Sequence, residues 1–427
     1  MTDQLQTDGS RSIEQRALER LRANVRAGHD PYYRLDYAYV RPSPGRYKWM
    51  WSWDSCFHAI ALARLDPEMA RRELRLLTAT QRADGFIGHV VYWGRAGALW
   101  SALFMQSRFG ELRRRHSGMV QPPVLAQAIE AVHTAAPDAA FLAHVLPRAQ
   151  AYYDWLARER DPDESGLVWI ISPWESGLDN SPAFDEPLGL KDPGRARYLL
   201  RLRMLDWHNL FLGRNFDFKA LYRRDRFVVV DPLVNAVYAD GLRTLARLWQ
   251  AAGDEARSRA ALGRAVRAEA AVNEQCWDAA LGRWVHLWGR AKRPVRALTV
   301  ASIMPLIMEG TPKERVAEVV GRHLTSEKEF WTPYPVPSVA ASEPSFDPEG
   351  ERLIWRGPTC LNLNWFFVRG LRRHGFRAEA DHIVARSREA VEKSYFREFY
   401  SPLTGRGMRG TDFGWATVAA AMGPDYP

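Results

Sequence analysis

The sequence predicts a mostly α-helical protein with long connecting loops. Helix start signals recur along the 427 residues, alternating strand patterns are few and short, and no linker rich in Gly, Ser or Pro divides the chain. Ordinary helix lengths of about 11 to 14 residues give on the order of twelve helices. We therefore expect an antiparallel helical array, closed into a barrel or stacked into a solenoid, in a single domain spanning residues 1–427.

Three helix starts carry clear N-terminal signals. Asp66 and Asp231 are each followed by proline, which places a capping side chain directly before proline at the first helical position. Thr311 and Glu314 have the spacing of a capping box. Apolar residues then recur every three to four positions, as in amphipathic helices. Further helices are predicted at 12–27, 53–65, 124–135, 147–160, 255–277, 358–373 and 377–395, and strands at 227–230 and 283–287.

The composition is that of a globular protein, with 46% apolar and 26% charged residues. No run approaches the roughly 18 to 20 apolar residues of a membrane span, and the N-terminus lacks the apolar core of a secretory signal. We therefore expect a cytoplasmic protein without membrane contact. Cys56, Cys276 and Cys360 are too far apart for a disulfide framework or a CxxC metal site. Apolar neighbours predict that Cys56 and Cys360 are buried for packing.

The net charge of +9 is weak evidence for nucleic-acid binding. Arginine supplies 52 of the 59 basic residues and is spread along the whole chain, and the densest cluster, at 113–115, is short. We therefore expect no nucleic-acid partner. A positive field would instead favour an anionic small substrate.

Tryptophan is abundant, with 17 residues, and much of it lies in loop segments. Trp49, Trp51 and Trp53 alternate beside Asp54, so in an extended segment all three would point the same way. Indole faces stack on the C–H faces of a sugar ring, and a carboxylate binds its hydroxyl groups. Core packing is the alternative interpretation. We favour a sugar-binding surface, to which the loop residues Trp93, Trp174, Trp331 and Trp355 would add.

The segment "ISPWESGLDNSPAFD", at 171–185, carries three carboxylates in an aromatic, non-helical context. Burial of a carboxyl group there would raise its pKa, as glycoside hydrolysis requires of the acid that protonates the leaving oxygen. The second carboxylate must come from elsewhere in the chain, and Glu398, in the aromatic segment "YFREFYSP", is the best candidate. Glu175 or Asp185 could instead be structural, capping backbone N–H groups.

Seven motifs carry a resemblance to glycoside hydrolase family 63 and, more distantly, to the trehalases. They occur in the expected order from Tyr47 to Trp415, which is nearly the whole chain. The closest similarity is to short bacterial members that hydrolyse mannosylglycerate and glucosylglycerate. The motifs are "WSWDSCFH", "DGFIGHVVYW", "QPPVLA", "PWESGLDNSP", "VVVDPLVNA", "IWRGPTCLNLNW" and "EFYSPLTGRG".

The resemblance implies an all-α (α/α)6 barrel of six inner and six outer helices, with long loops forming the mouth of the active site. It also implies an inverting mechanism, in which Asp179 is the general acid and Glu398 the general base. Hydrolysis by a carboxylate pair requires no metal, and we expect no cofactor. The residues implied to hold the sugar are Tyr47, Trp51, Trp53, Asp54, Gln121 and Trp174, and those implied to line the floor are Trp355 and Arg356.

The leaving-group subsite departs from the family pattern. Lys48 stands where the glycerate-cleaving members tend to have Gln, and Ile354 and Cys360 stand where they favour aromatic residues. A leaving group that carries a carboxylate would need an arginine and a tyrosine hydroxyl. Residues of these types lie between the acid motif and "DPLVNA", and the candidates for this clamp are Arg214, Tyr222 and Arg223.

Several functions are compatible with these residues. The favoured one is hydrolysis of α-mannosylglycerate or α-glucosylglycerate, and the alternative is an inverting α-glucosidase acting on a trehalose-, kojibiose- or nigerose-type substrate. A sugar epimerase of the same fold would need paired catalytic histidines, for which His58, His89 and His208 are available. A non-catalytic sugar-binding protein would keep the tryptophans without needing both acids. A homo-oligomer is compatible with the sequence.

Overall fold

A computed structural model describes residues 11–94, 116–350 and 352–423. Twelve α-helices lie within these ranges, in agreement with the predicted number. Their bounds are α1 Ile13–Ala23, α2 Ser52–Leu65, α3 Pro67–Ala79, α4 Leu125–Ala135, α5 Ala139–Arg160, α6 Arg195–Trp207, α7 Phe218–Arg224, α8 Pro232–Ala251, α9 Glu255–Gln275, α10 Lys313–Val319, α11 Leu361–Arg373 and α12 Arg377–Ser394.

Short helical turns complete the helical part of the described residues. Two of the 3₁₀ turns lie in the loop before α6, and the longest follows the last strand. The 3₁₀ segments are Pro173–Ser176, Pro182–Phe184, Val300–Ser302, Met304–Ile307 and Gly414–Ala421, and the π-helical segments are His208–Leu212 and Val320–Leu324.

Six inner segments close into a ring. Helix α2 packs against α4, α4 against α8, α8 against the Met304–Ile307 turn, that turn against α11, α11 against Gly414–Ala421, and this last segment against α2. Each inner segment also packs against one outer helix, in turn α3, α5, α9, α10, α12 and α1. The array is therefore an (α/α)6 barrel, which confirms the closed form of the predicted array and excludes the solenoid.

The inner helices are buried on most of their surface, as a barrel interior requires. In α2, every residue from Ser52 to Ala63 is buried, and α8 and α11 are similarly apolar and buried. Phe57 of α2 makes edge-to-face contacts with Trp365 and Phe366 of α11, which fills the centre. Cys56 and Cys360 are buried and free, as predicted.

The strands among the described residues are short, with at most six residues each. They form antiparallel pairs, β1 with β2, β3 with β4, β7 with β8 and β11 with β12, and one four-stranded sheet in the order β10-β9-β6-β5. Their bounds are β1 Val25–Asp30, β2 Leu35–Val40, β3 Met50–Trp51, β4 Val90–Val91, β5 Trp169–Ile170, β6 Val229–Val230, β7 Trp277–Asp278, β8 Arg283–Trp284, β9 His286–Trp288, β10 Arg293–Val295, β11 Arg397–Tyr400 and β12 Gly407–Thr411.

Local capping signals predicted two helix starts correctly. The Asp66 carboxylate accepts a hydrogen bond from the Met69 N–H, and Asp231 accepts from Leu233 and Val234. The predicted capping box at Thr311 is wrong, because the hydroxyl group of Thr311 instead donates to the backbone carbonyl of Pro305, 2.7 Å away.

Two predicted helices have different ends in the structure. The helix expected at 147–160 begins at Ala139, because Asp138 caps it and Pro147 lies inside it. The helix expected at 12–27 ends at Ala23, and the following residues pair as β1 with β2. Among the described residues, none of the helices is both long enough and apolar enough to span a bilayer.

Candidate active site

A cavity of about 350 Å³ opens at the end of the barrel where the inner helices begin. The segments before α2, α4, α11 and Gly414–Ala421 contribute to it, together with the loop before α6. Nine of the twelve predicted site residues line it. The lining residues are Pro42, Arg46, Tyr47, Trp51, Trp53, Asp54, Gln121, Trp174, Gly177, Asp179, Asn180, Arg195, Leu199, Arg352, Leu353, Ile354, Trp355, Glu398, Phe399, Arg409, Phe413 and Trp415.

Glu398 lies on β11 and is held by two donors. Its Oε1 accepts a hydrogen bond from the Tyr47 hydroxyl group at 2.7 Å, and its Oε2 accepts one from the Gly410 N–H at 3.0 Å. A Cβ atom at Gly410 would stand 2.7 Å from the Phe413 ring, so glycine lets β12 approach the carboxylate. Burial raises the pKa of Glu398, and the hydrogen bonds from Tyr47 and Gly410 oppose that rise.

Asp179 lies in the loop that follows the Pro173–Ser176 turn. Gly177, with φ of 74°, bends this loop against the Trp53 ring, and any side chain there would collide with the indole. Burial raises the pKa of Asp179 to about 7, and the negative charge of Glu398 adds to the rise. Asp179 therefore keeps its proton to a higher pH than an exposed aspartate does, and it faces the same cavity as Glu398.

Asp54, in the first turn of α2, is buried without a complete set of partners. Its side chain is 3% exposed, and its Oδ1 accepts no hydrogen bond from the described residues. The indole N–H groups of Trp51 and Trp174 are likewise buried and unpaired there. Burial raises the pKa of Asp54 well above its usual value, and the charge of Glu398 contributes. Buried polar atoms of this kind on a cavity wall can form hydrogen bonds with water or with a ligand.

Gln121 connects the cavity to the start of α2. Its Oε1 accepts hydrogen bonds from the Ser52 hydroxyl group at 2.9 Å and from the Trp53 N–H at 3.0 Å. These contacts satisfy N-terminal donors of the helix and fix the orientation of the amide group. The amide N–H groups of Gln121 thereby remain available to a ligand.

Indole rings form a large part of the wall. Trp53 lies edge-on to Trp415 with ring centroids 5.6 Å apart, and Trp355 lies edge-on to Phe399 at 4.8 Å. The Trp415 indole also donates to the backbone carbonyl of Glu398 at 3.0 Å, so this aromatic group supports the strand that carries the carboxylate.

The predicted common orientation of Trp49, Trp51 and Trp53 is wrong. Only Trp51 lies in a strand, because α2 begins at Ser52 and turns Trp53 into helical geometry. Trp49 instead packs edge-on against Tyr92, outside the cavity lining. Trp93 is fully buried and stacks on Tyr37, so it is a core residue.

The other two carboxylates of the 171–185 loop have structural partners. Glu175 is fully buried and bidentate with Arg160 at 2.6 and 2.7 Å, and it also accepts the N–H groups of Val120 and Ile171. Asp185 pairs with Arg356, whose Nε donates to the backbone carbonyl of Asn180. These contacts hold the loop from behind and leave Asp179 as its acid on the cavity.

Three predicted site residues do not line the cavity. Arg356 is buried behind the loop and holds Asp185, so it supports the site from outside the cavity. Tyr222 packs edge-on against Trp169 and stacks on Phe218. Arg214 is exposed in a left-handed turn after the π-helical segment. The structure therefore does not assemble the predicted Arg214 and Tyr222 clamp at this cavity.

Some of the remaining predicted features line the cavity, and others lie away from it. Of the three departures from the family pattern, Ile354 lines the cavity, and Lys48 and Cys360 do not. None of His58, His89 and His208 lines it, so a histidine pair for epimerase chemistry is not present at this wall. Among the described residues, no group of three or more His, Cys, Asp or Glu is arranged to hold a metal ion.

The cationic residues of the lining and its aliphatic residues other than Ile354 were not predicted from the sequence. Arg46 and Arg409 lie near Glu398, and their charges lower its pKa. The other missed residues are Arg195, Leu199, Arg352 and Leu353. Arg46, Arg352 and Leu353 lie one to three residues from predicted site residues, which is the only signal that could have indicated them. Helix α6 carries no motif.

Comparison with known proteins identifies the family. The sequence model of the mannosylglycerate hydrolase MGH1-like glycoside hydrolase domain matches residues 47–416. The mannosylglycerate hydrolase of Thermus thermophilus is 32% identical over 411 residues, covering 90% of this chain and 96% of that enzyme. The glucosylglycerate hydrolase of Mycolicibacterium hassiacum is 27% identical over 418 residues, covering 88% of this chain and 92% of that enzyme.

Solved structures agree with the fold. The crystal structure of a family 63 mannosylglycerate hydrolase from Thermus thermophilus, in complex with Tris and D-glycerate, has a TM-score of 0.83 at 30% identity and covers 96% of this chain and 99% of that one. Neutral trehalase from Saccharomyces cerevisiae, at 15% identity with a TM-score of 0.59, covers 95% of this chain and 79% of that one and shares the fold alone. The chain belongs to the MGH1-like glycoside hydrolases of family 63, as its motifs indicated, and is a glycoside hydrolase built on an (α/α)6 barrel.

Proposed function

We propose that the chain is an inverting α-glycosidase that cleaves a small α-glycoside of a hydroxy acid, with α-mannosylglycerate and α-glucosylglycerate as the first candidates. One observation carries the proposal. Two carboxylates, Asp179 and Glu398, face one indole-walled cavity in different environments. Glycoside hydrolysis needs such a pair, one carboxyl group protonated and the other ionised.

The environments support opposite roles. Asp179, with a pKa of about 7, carries a proton in a large part of the molecules near neutral pH and is suited to be the general acid. Glu398 accepts hydrogen bonds from Tyr47 and Gly410, which favour the ionised form and suit a general base.

The reaction then follows from these protonation states. Asp179 donates its proton to the glycosidic oxygen as the bond from that oxygen to the anomeric carbon breaks. Glu398 takes a proton from a water molecule whose oxygen bonds to the anomeric carbon from the opposite face. The products are a free sugar of inverted configuration and the hydroxyl form of the leaving group. Exchange with solvent returns a proton to Asp179 and removes one from Glu398.

The remaining lining supports binding of a sugar ring. Asp54 offers a buried carboxylate oxygen without a partner, and Gln121 offers amide N–H groups. Trp53, Trp355 and Trp415 supply apolar faces on the same cavity. Hydroxyl contacts to a buried carboxylate strengthen as the ring flattens towards the oxocarbenium ion, so Asp54 would act on the transition state as well as on binding.

The activities of related enzymes narrow the class of substrate that we expect for this chain. Enzymes that align over about nine tenths of this chain hydrolyse mannosylglycerate or glucosylglycerate, and one was crystallised with D-glycerate. The trehalase likeness concerns the fold only, so the glycoside of a hydroxy acid is favoured over a disaccharide.

The stereochemistry of the product tests the proposal. Proton NMR in the first minutes of hydrolysis of an α-glycoside should show the β-anomer before mutarotation mixes the two forms. Initial appearance of the α-anomer would overturn the inverting mechanism.

Variants of the two acids test their assignment. Asp179→Asn and Glu398→Gln should each lower kcat by about 10² or more, because general acid and base catalysis contribute about 10²- to 10⁴-fold. The exposed residues Asp36 and Glu314 provide matched controls, and Asp36→Asn and Glu314→Gln should leave kcat unchanged. Near wild-type turnover in either active-site variant would remove that residue from its role.

A further inference from the structure

The cavity lining divides into a side next to Asp179 and a side next to Glu398. On the Asp179 side, the hydroxyl group of Tyr198 in α6 donates to the Asp179 backbone carbonyl at 2.6 Å. Tyr198 also packs with Leu202 and Leu353 in a small apolar cluster. Helix α6 and Leu353 therefore lie together beside the acid, and Ile354 continues this wall towards Gly350, whose carbonyl accepts a hydrogen bond from Arg409.

The Glu398 side has different residues. Tyr47 donates to Glu398, and Phe413 lies edge-on to Tyr47 with ring centroids 5.5 Å apart. Arg46 and Arg409 add positive charge next to the carboxylate of Glu398. With Glu398 as the general base and Asp179 as the general acid, the attacking water lies on this side and the departing group on the side of Asp179.

We infer that Arg195, Leu199, Leu353 and Ile354 form a leaving-group subsite that selects an acid aglycone with an apolar carbon beside its carboxylate. The inference rests on the proposed function, because only a general acid at Asp179 places the leaving oxygen next to this wall. The subsite would prefer a 2-hydroxy acid whose third carbon is a methyl group or larger alkyl group over glycerate, whose third carbon carries a hydroxyl group.

The aliphatic residues explain the apolar preference. Leu199, Leu353 and Ile354 all line the cavity, and their side chains have no hydrogen-bond donor or acceptor. Leu353 is buried, Ile354 is half-buried and Leu199 is 38% exposed, so a hydroxymethyl group placed against Leu353 and Ile354 would lose contacts with water without gaining a partner. A methyl group in the same place would be removed from water at no such cost.

Arg195 supplies the positive charge that would bind the carboxylate of the aglycone. It is exposed at the start of α6, lines the cavity, and has no acidic partner among the described residues. Arg352, the other arginine of this wall, already pairs with Asp192 at 2.8 Å. Arg195 is thus the cation on the Asp179 side that remains available for a carboxylate, to which an arginine can form two charge-assisted hydrogen bonds.

Three glycosides that differ only in the aglycone test the preference. They are the 2-O-α-glycosides of D-glycerate, D-lactate and D-lactamide, each made with mannose and with glucose. We expect kcat/KM for the lactate glycoside to exceed that for the glycerate glycoside about fivefold or more, from the cost of an unpaired hydroxyl group. We expect kcat/KM for the lactate glycoside to exceed kcat/KM for the lactamide glycoside about tenfold or more, because the lactamide lacks the negative charge of the carboxylate.

Two variants assign the preference to residues. Arg195→Met should abolish the discrimination between lactate and lactamide, and Arg197→Met, on the same helix but outside the cavity lining, should retain it. Ile354→Thr places a hydroxyl group on the wall and should shift the preference towards glycerate. The exposed control Arg197→Met should hydrolyse a 4-nitrophenyl α-glycoside, which carries no carboxylate, at the wild-type rate, and Arg195→Met and Ile354→Thr should still cleave it.

The outcomes separate this inference from the proposed function. Turnover of the 4-nitrophenyl glycoside together with equal kcat/KM for lactate and lactamide, or with a preference for glycerate, would overturn the subsite and leave the glycosidase intact. Retained discrimination in Arg195→Met would also overturn it. Absence of turnover on every α-glycoside would overturn the proposed function, and the inference with it.

Discussion

The hydroxyl group of Tyr47 donates a hydrogen bond to Oε1 of Glu398 across 2.7 Å, although the two residues are 351 positions apart in the chain. This contact favours the ionised carboxylate and fixes its direction in the cavity. Burial alone would raise the pKa of Glu398 further.

Replacing this donor should change the pH dependence of the enzyme. In Tyr47→Phe, the pKa of Glu398 should rise, the acidic limb of kcat/KM should move to higher pH, and kcat should fall about tenfold. Steady-state kinetics over a range of pH values measures both effects. Tyr32→Phe, at an exposed tyrosine, serves as the control. An unmoved acidic limb would contradict the role of Tyr47.

The wild-type pH profile should be bell-shaped. Glu398 must be ionised, so activity rises as the pH passes its raised pKa, and Asp179 must be protonated, so activity falls as the pH passes about 7. The measurement is kcat/KM against pH for any cleaved α-glycoside. Activity that continues to rise above about pH 8 would contradict the assignment of Asp179 as the acid.

Asp179 should make the protein less stable as the pH rises. Its folded-state pKa lies above its ordinary value, so the stability present with the protonated form is lost as the pH rises through about 7. Asp179→Asn remains neutral. Its Tm should match the wild type at about pH 4 and exceed it at about pH 8, with Asp36→Asn showing no such gap. A constant Tm difference across this range would be inconsistent with a buried, titrating Asp179.

Breaking the buried ion pair of Arg160 and Glu175 should lower the stability of the protein. Both side chains are almost fully buried, at 2% and 0% exposure, so removing one partner leaves an uncompensated charge. Arg160→Met should lower the free energy of unfolding by about 3 to 5 kcal/mol. The exposed pair Arg158 and Glu159 is the control, and Arg158→Met should cost less than about 1 kcal/mol. Denaturant unfolding measures both, and equal losses would contradict this interpretation.

Replacing Asp54 should slow the reaction without lowering the stability of the protein. Its Oδ1 has no partner among the described residues, so Asp54→Ala should lower kcat/KM about 10²-fold by removing a contact to a sugar hydroxyl group. The same change removes a buried carboxylate, so Tm should hold or rise. Kinetics and thermal unfolding of the same preparation test the two statements together. A large loss of Tm with unchanged kinetics would instead make Asp54 a structural residue.

The parts of the fold that depend on neighbouring residues were predictable. Asp66 and Asp231 cap their helices because the donors they bind lie two or three residues away. Thr311 has the same sequence signal, but its hydroxyl group donates a hydrogen bond to the backbone carbonyl of Pro305, in an earlier turn. The inner segments at 304–307 and 414–421 are 3₁₀ turns, too short for a helical period to be read from sequence.

The candidate site also contains residues that could be predicted from the sequence and residues that could not. Asp179 and Glu398 could be named because each lies within a motif, and the structure places both on one cavity. Arg195 and Leu199 could not, because α6 reaches the cavity through the packing of Tyr198 against the acid loop. Arg214 and Tyr222 were chosen by residue type alone, and tertiary structure puts Tyr222 against Trp169 instead.

The closed ring of inner segments also bears on how the protein folds. Gly414–Ala421 completes the ring by packing on α2, and Trp415 supports the strand that carries Glu398. These contacts of the barrel therefore join segments more than three hundred residues apart, and their formation costs the corresponding loop-closure entropy. A chain still emerging from the ribosome can build most helix pairs, but it gains the complete binding cavity only after residues 414–421 are free to pack on α2.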